Sequence, residues 1–218
     1  SAYEPITISD DTGSVTTAGI KTYGRAVHSF VSRTGEYAIE NVKKGGKFEP
    51  SFEHTEGLSI NEYNKQNPCG LMFLDHCVGN VDEGKMNHWV QWYEDTLGFA
   101  MFKHFDDADI STEHSALMSK VMASGNNLIK FPINEPAEGK KKSQIQEYLE
   151  WHDMCPGIQH LAFRTNDCLA SVTELRRRGV DFLHIPEEYY EEVWSRIDRC
   201  LTEHGLEGVR EDHERIKD

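Results

Sequence analysis

The sequence contains 218 residues, of which 28% are charged and 38% hydrophobic, and its formal net charge at pH 7 is −14. This length and composition exclude a disordered or fibrous chain and predict a globular protein that buries a sizeable core. The negative charge repels phosphate backbones, so we expect no nucleic-acid partner, and we interpret the short basic runs at residues 140–142 and 176–178 as solvated surface.

The five cysteines form no recognisable pairing pattern. Their number is odd and no CxxC motif occurs, which argues against both a disulfide framework and a thiolate zinc site. No run approaches about 18 uninterrupted apolar residues, and the first residues show no basic segment followed by an apolar one. We therefore predict neither membrane insertion nor secretion, and we expect a cytoplasmic protein.

The first third of the chain contains few elements that could build a core. Residues 13–33 form two β-rich runs around Tyr23 and Gly24, which predicts a hairpin. Residues 34–70 are rich in Gly, Lys, Glu, Asn and Pro and lack periodicity, which predicts a linker. A hairpin alone is not stable, so we expect residues 1–69 to be the C-terminal remnant of an N-terminal domain plus a linker, and residues 70–218 to form the next domain.

An internal repeat organises the second domain. FLDHCVGNV at residues 73–81 and GIQHLAFRT at residues 157–165 each place a histidine in a short apolar strand that leads into a helix. The first helix is predicted over residues 84–97, ends at Gly98 and presents one apolar stripe made of Met86, Trp89, Val90, Tyr93 and Leu97. The second is predicted to start after Asn166-Asp167, stop at Gly179 and bury Leu169, Val172 and Leu175.

The two copies of the repeat differ beyond the helix. The runs SALMSKVMAS and NNLIKFPI predict two further strands in the first copy, which gives the order strand, helix, strand, strand, strand. In the second copy a short run at Val180–Ile185 leads into a helical stripe and then into the charged residues 207–218; the stripe contains Tyr190, Val193, Ile197 and Leu201. We expect the second copy to lack its last strands and the C-terminal helix.

The matched strand histidines are the main candidates for chemistry. On period-two alternation His76 shares a face with Leu74 and Val78, and His160 shares one with Ile158 and Ala162. An imidazole on an apolar face needs a partner, which is either a hydrogen-bonding carbonyl or a metal ion. Two neutral imidazoles with a carboxylate and open positions form the facial arrangement that non-haem Fe(II) uses.

Four runs of the sequence resemble segments of a known protein family. They are KTYGRAVHSFVSR at residues 21–33, LDHCVGNV at 74–81, FPINEPAEGKKKSQIQEYLE at 131–150 and GIQHLAF at 157–163. In their order and spacing the chain resembles the 4-hydroxyphenylpyruvate dioxygenase family of the vicinal oxygen chelate superfamily. The resemblance implies an α+β fold of paired βαβββ modules, here with the second module incomplete.

The resemblance also implies roles for particular side chains. His76 and His160 match the family's two iron-binding histidines, whereas the third ligand, a glutamate in an F-x-E-[IV]-[IV]-Q-R context, has no counterpart in this sequence. The positions that match the family's substrate pocket are Ser119, Asn134, Gln144 and Gln159. For two of them a structural alternative stays open: Asn134 as a turn residue before a proline, and Gln144 as a surface residue at a helix start. Gln159 faces away from His160 in a regular strand, so its contact would be indirect.

The function implied by the resemblance is that of a non-haem Fe(II) dioxygenase. It would convert 4-hydroxyphenylpyruvate and O2 to homogentisate and CO2 in tyrosine and phenylalanine catabolism, as a homo-oligomer when full length. The chain alone would be inactive because the glutamate is missing. One alternative is hydroxymandelate synthase, against which Pro132 and Asn134 argue; another is a non-catalytic binding protein of the same superfamily.

Overall fold

The structure, a computed structural model, describes residues 2–53, 60–105, 117–137, 143–185, 187–203 and 205. The chain divides into two compact units, one formed by residues 1–67 and 72–164 and the other by residues 68–71 and 165–218. This division does not coincide with the predicted boundary between residues 69 and 70, which stays a prediction. The runs at residues 140–142 and 207–218 lie outside the described residues.

The first unit begins with a three-stranded antiparallel sheet in the order β1-β2-β3. Its strands are β1 (Ala2–Asp10), β2 (Gly13–Lys21) and β3 (Val27–Gly35). The β2–β3 pair runs in continuous register from Gly13 opposite Gly35 to Lys21 opposite Val27, which confirms the predicted hairpin around Tyr23. The sequence analysis did not predict β1, which pairs with the other side of β2.

The predicted linker contains two short helices, α1 (Ile39–Lys43) and α2 (Ile60–Gln66). Neither shows an apolar stripe long enough to be recognised by periodicity, and α1 has no buried residue. Tyr37, just before α1, is fully buried, and its hydroxyl donates a hydrogen bond to Asp10 at the end of β1. Tyr37 therefore anchors the start of this segment to the first sheet.

A five-stranded sheet in the order β5-β6-β7-β4-β8 forms the rest of the first unit. Its first module is β4 (Leu71–Asn80), α3 (Met86–Leu97), β5 (Ala100–Phe105), β6 (Leu117–Ala123) and β7 (Lys130–Pro136). This order confirms the predicted strand, helix, strand, strand, strand module. After α4 (Gln144–Trp151), strand β8 (Gly157–Thr165) lies next to β4, so the two repeat strands are neighbours.

The core of the first unit forms where α3 packs on this sheet. Of the predicted stripe, Met86, Val90 and Tyr93 are buried, while Trp89 and Leu97 are partly buried against the same cluster. The helix ends at Gly98, which has φ of 64° and takes the left-handed conformation that glycine adopts without strain. The other buried members of the cluster come from the sheet, from the residue that follows β4 and from the β2–β3 turn, namely Met122, Ile133, Val81 and Tyr23.

The second unit contains α5 (Cys168–Arg177) and α6 (Glu187–Glu203). Asp167 is the predicted N-cap of α5, and its carboxylate accepts a hydrogen bond from the Ala170 amide at 2.9 Å. The predicted burial of the stripe on α5 is only partly correct, because Leu169, Val172 and Leu175 are half-buried. Residues 180–185 form no regular element, and the predicted helical stripe after them lies on α6. Among the helices that the structure describes, none has the length and apolar composition to cross a membrane.

Candidate metal and substrate site

A cavity of about 430 Å³ lies on one face of the five-stranded sheet. Each of the five strands contributes to it, and residues two apart on one strand line it together, because alternate side chains point to the same face. The lining side chains are Asp75, His76, Val78, Phe102, Lys103, Ser119, Val121, Lys130, Pro132, Asn134 and His160. Four of these eleven residues, Val78, Phe102, Val121 and Pro132, supply apolar wall, and the other seven carry polar or charged groups.

The two repeat histidines meet in this cavity. His76 lies on β4 and His160 on the neighbouring β8, and their ring centroids are 6.1 Å apart. A metal–imidazole bond is about 2.1 Å long, so both rings can reach one ion placed between them. The side-by-side strands explain the approach, since equivalent positions of the repeat end up at neighbouring places in one sheet.

Each histidine has its Nδ1 atom occupied by the side chain of the preceding residue. His76 Nδ1 is 2.9 Å from Asp75 Oδ2, and His160 Nδ1 is 2.9 Å from Gln159 Oε1. A carboxylate and an amide oxygen accept hydrogen bonds, so both Nδ1 atoms donate. The lone pair of each neutral ring is then on Nε2, which is the atom available for a metal.

The surroundings of the site shift the pKa values of His160 and Asp75. Partial burial, and secondarily the nearby His76, lower the pKa of His160, which favours the uncharged imidazole that a metal needs. The hydrogen bond from His76 and then that from Lys130 lower the pKa of Asp75, so this carboxylate is ionised at neutral pH. Lys130 Nζ lies 2.9 Å from Asp75 Oδ1 and connects β7 to the site.

The donor set fits two of the three protein positions of a facial Fe(II) site. Within the described residues, no group of three or more His, Cys, Asp or Glu side chains is arranged to hold a metal ion. Both oxygens of Asp75, the acidic residue among the lining side chains, are engaged by His76 and Lys130. A third protein ligand is therefore not among the side chains that the structure describes.

The predicted substrate residues occupy different environments. Ser119 on β6 and Asn134 on β7 line the cavity and are only 4% and 7% exposed. Asn134 lies within a strand that also includes Pro136, so its alternative assignment as a turn residue is wrong. Gln159 does not line the cavity and contacts it through His160. Gln144 is exposed at the first position of α4, and its predicted substrate contact stays a prediction.

The sequence analysis did not identify Asp75, Lys130 and Phe102 as parts of the site. The repeat does contain a signal for Asp75, because FLDH and GIQH both place a polar residue before the histidine. Lys130 and Phe102 show no comparable signal: Lys130 takes its place through strand register, opposite Ala123 on β6, and Phe102 lies at the irregularity between Met101 and Lys103 on β5.

Comparison with known proteins agrees with this architecture. Residues 73–204 match the sequence profile of the Glyoxalase/Bleomycin resistance protein/Dioxygenase superfamily, which is more than half of the chain. The chain therefore belongs to this superfamily, as the paired βα modules and the cavity on the sheet indicate.

Particular relatives narrow the comparison to one group. The chain is 47% identical over 194 residues to the 4-hydroxyphenylpyruvate dioxygenase of Yarrowia lipolytica, covering 89% of this chain and 47% of that protein. It is 42% identical over 202 residues to that of Aspergillus fumigatus, covering 92% and 48%, and 41% identical over 212 residues to that of Tetrahymena thermophila, covering 97% and 49%. The resemblance in the sequence is thus confirmed, and the chain spans about half the length of these curated relatives.

A solved structure supports the fold independently. A triple mutant of 4-hydroxymandelate synthase from Streptomyces coelicolor superposes with a TM-score of 0.57 at 20% identity, covering 94% of this chain and 49% of that one. At this identity the likeness concerns the fold alone. It confirms the α+β class of paired strand–helix modules.

Proposed function

We propose that this chain is the part of a 4-hydroxyphenylpyruvate dioxygenase that supplies two iron-binding histidines and much of the substrate cavity. The observation that carries the proposal is the pair His76 and His160, which meet on neighbouring strands. In each ring Nδ1 makes the hydrogen bond to the preceding side chain, which leaves the lone pair on Nε2 for a metal ion. The similarity to curated dioxygenases over about 90% of the chain supports the same reaction. That reaction converts 4-hydroxyphenylpyruvate and O2 to homogentisate and CO2.

His76 and His160 would hold the Fe(II) ion together with a carboxylate from outside the described residues. When bound, the ion supplies the oxygen-activating redox chemistry and a chelation point for the 2-oxo acid. The role of the two imidazoles is to remain neutral and to present Nε2. The lowered pKa of His160 supports this role, because less of the ring is protonated at neutral pH.

The other lining residues suit an aromatic substrate with one polar end. Val78, Phe102 and Val121 supply apolar walls that contact an aryl ring and exclude water. Ser119 and Asn134 offer a hydroxyl and an amide in the same cavity, and both groups can hydrogen-bond a phenolic oxygen. These side chains bind and orient the substrate, and none of them has to act as a nucleophile.

The remaining parts of the proposal concern the whole protein. We expect a cytoplasmic enzyme of tyrosine and phenylalanine catabolism that assembles as a homo-oligomer. The cysteines support a reducing compartment, because none of the five forms a disulfide bond in the structure. Size-exclusion chromatography with light scattering on the complete protein would measure the oligomeric state.

The test is product analysis with the complete protein that contains this chain. It is incubated with Fe(II), ascorbate, O2 and 4-hydroxyphenylpyruvate, and the product is identified by mass spectrometry and retention time. Homogentisate is the expected product, and it should be lost in both His76→Ala and His160→Ala. Hydroxymandelate would assign the chain to the benzylic hydroxylases, and the absence of both product and oxygen consumption would favour a binding protein.

A further inference from the structure

The carboxylate of Asp75 is the junction of a chain of contacts that ends at His76. Its Oδ2 atom accepts a hydrogen bond from His76 Nδ1 at 2.9 Å, and its Oδ1 atom accepts one from Lys130 Nζ at 2.9 Å. Lys130 comes from β7, so the contact ties a histidine on β4 to a second strand of the sheet. The Lys130 side chain is only 19% exposed, so solvent screens this pair less than a pair on the open surface.

His160 is also held by a hydrogen bond from its Nδ1 atom, but the acceptor is weaker than the one that holds His76. Gln159 Oε1 lies 2.9 Å from His160 Nδ1, but this acceptor is neutral and comes from the same strand as the ring. Hydrogen bonds to an ionised acceptor are roughly twice as strong as those between neutral groups. His76 is therefore held by a charged group fixed from another strand, whereas His160 is held by a neutral group fixed only locally.

Resting on the proposed function, we propose that Asp75 is the positioning residue of the metal site: with Lys130 it fixes His76, which makes His76 the more firmly oriented of the two histidine ligands. Both Asp75 oxygens are engaged, so this carboxylate acts through His76 and does not replace the missing third ligand. Lys130 has a double role, because it orients Asp75 and also keeps it from turning toward the ion. His160 and the remaining ligand complete the coordination.

The experiment measures Co(II) binding to the complete protein by calorimetry and by visible absorption. Loss of an outer hydrogen-bond partner typically weakens metal affinity about 10- to 100-fold. We expect a dissociation constant raised within that range in Asp75→Ala and raised less in Gln159→Ala. Asp75→Asn should recover part of the affinity, because its amide oxygen still accepts from Nδ1. Circular dichroism of each variant confirms that it is folded.

Lysine variants separate positioning from general charge effects. Lys130→Met should weaken Co(II) binding although it removes a positive charge near the ion, which by electrostatics alone would strengthen binding. The matched control is Lys120→Met on the adjacent strand. Lys120 is not among the lining residues of the cavity, and its Nζ atom donates a hydrogen bond to Asn87 Oδ1 at 2.6 Å. This variant should bind Co(II) as the unaltered protein does. Tighter binding in Lys130→Met would overturn the role given to Lys130.

The outcomes distinguish this inference from the proposed function. If the unaltered protein forms homogentisate but Asp75→Ala binds Co(II) within about twofold of it, the positioning role is refuted and the dioxygenase assignment stands. If the unaltered protein binds Co(II) through His76 without forming product, and Asp75→Ala weakens that binding, the positioning role stands and the assigned reaction is refuted. A larger loss of affinity in Gln159→Ala than in Asp75→Ala would show that the support of His160 matters more than that of His76 and would overturn the role given to Asp75.

Discussion

Tyr23 fills the space above Gly79, so that a Cβ on this glycine would overlap the phenol ring and its hydroxyl. Tyr23 belongs to the β2–β3 turn, whereas Gly79 lies on β4, three residues after His76. Burial raises the pKa of Tyr23 to about 12, so the phenol is neutral in this contact. The contact places the turn of the first sheet directly behind the strand that carries His76.

Gly79→Ala should lower the free energy of unfolding. The added methyl group meets a fully buried ring, and overpacking of this kind costs about 1–3 kcal/mol. Urea unfolding followed by circular dichroism measures the change. The control is Gly125→Ala, where a Cβ would have nothing within 4 Å; a loss at Gly125 equal to that at Gly79 would contradict the packing argument.

Glu135 is expected to stabilise the start of α3. Its Oε2 atom accepts a hydrogen bond from the Met86 amide at 2.9 Å in a buried setting, while the N-cap residue Lys85 makes no side-chain cap. Glu135→Ala leaves that amide without its acceptor, which costs about 1–3 kcal/mol. Glu135→Gln keeps an acceptor oxygen, so its urea midpoint should lie between those of the unaltered protein and Glu135→Ala. Equal midpoints for all three proteins would show that the contact contributes nothing.

His28 should make stability depend on pH. Burial lowers its pKa below the ordinary value of 6.5, and its Nε2 atom lies 2.8 Å from the Tyr93 hydroxyl among the rings of Trp92 and Phe131. Below about pH 6.5 the unfolded chain binds a proton that the folded state resists, so stability falls as the pH falls through this value.

The comparison that checks this effect uses His28→Phe, which keeps an aromatic ring but cannot titrate. Free energies of unfolding at pH 7.5 and pH 5.5 are measured by urea titration, and the difference between the two should be smaller in the variant. His88→Phe serves as the control, because His88 is exposed on α3; it should keep the original difference. An unchanged difference in His28→Phe would assign the pH dependence to other groups.

Asn134 and Gln144 provide a direct test of the predicted substrate residues in the complete protein. Asn134→Ala removes a buried amide from the cavity and should raise KM for 4-hydroxyphenylpyruvate roughly tenfold, which corresponds to about 1.4 kcal/mol. Gln144→Ala alters an exposed side chain and should leave KM unchanged if the described arrangement is also the substrate-bound one. A tenfold effect at Gln144 would require α4 to approach the substrate on binding.

Local patterns in the sequence predicted the elements whose burial is periodic. Helix α3 was predicted from its stripe and its terminal glycine, and β6 and β7 from their apolar runs. The meeting of His76 with His160 followed from the repeat, because two equivalent strands occupy neighbouring places in one sheet. In each case the information lies within a few residues or in a repeated pattern along the chain.

Contacts set by strand register were not predictable from the sequence. Glu135 caps a helix that begins 49 residues earlier, and Lys130 reaches a carboxylate 55 residues earlier. Both contacts depend on the parallel pairing of β4 with β7, in which Gly79 lies opposite Ile133. The same limit applies to β1, whose place is set by its pairing with β2.

The contact between Tyr23 and Gly79 bears on how this protein can be dissected. A fragment that starts at residue 70 would lack both Tyr23 and His28, which contact Trp89 and Tyr93 on α3. The helix would then expose an aromatic surface, and β4 would lose the Tyr23 ring that packs against Gly79. Such a fragment should bind hydrophobic dyes and aggregate, so the residues before the predicted boundary act as an inner wall of the module that contains α3 and β4.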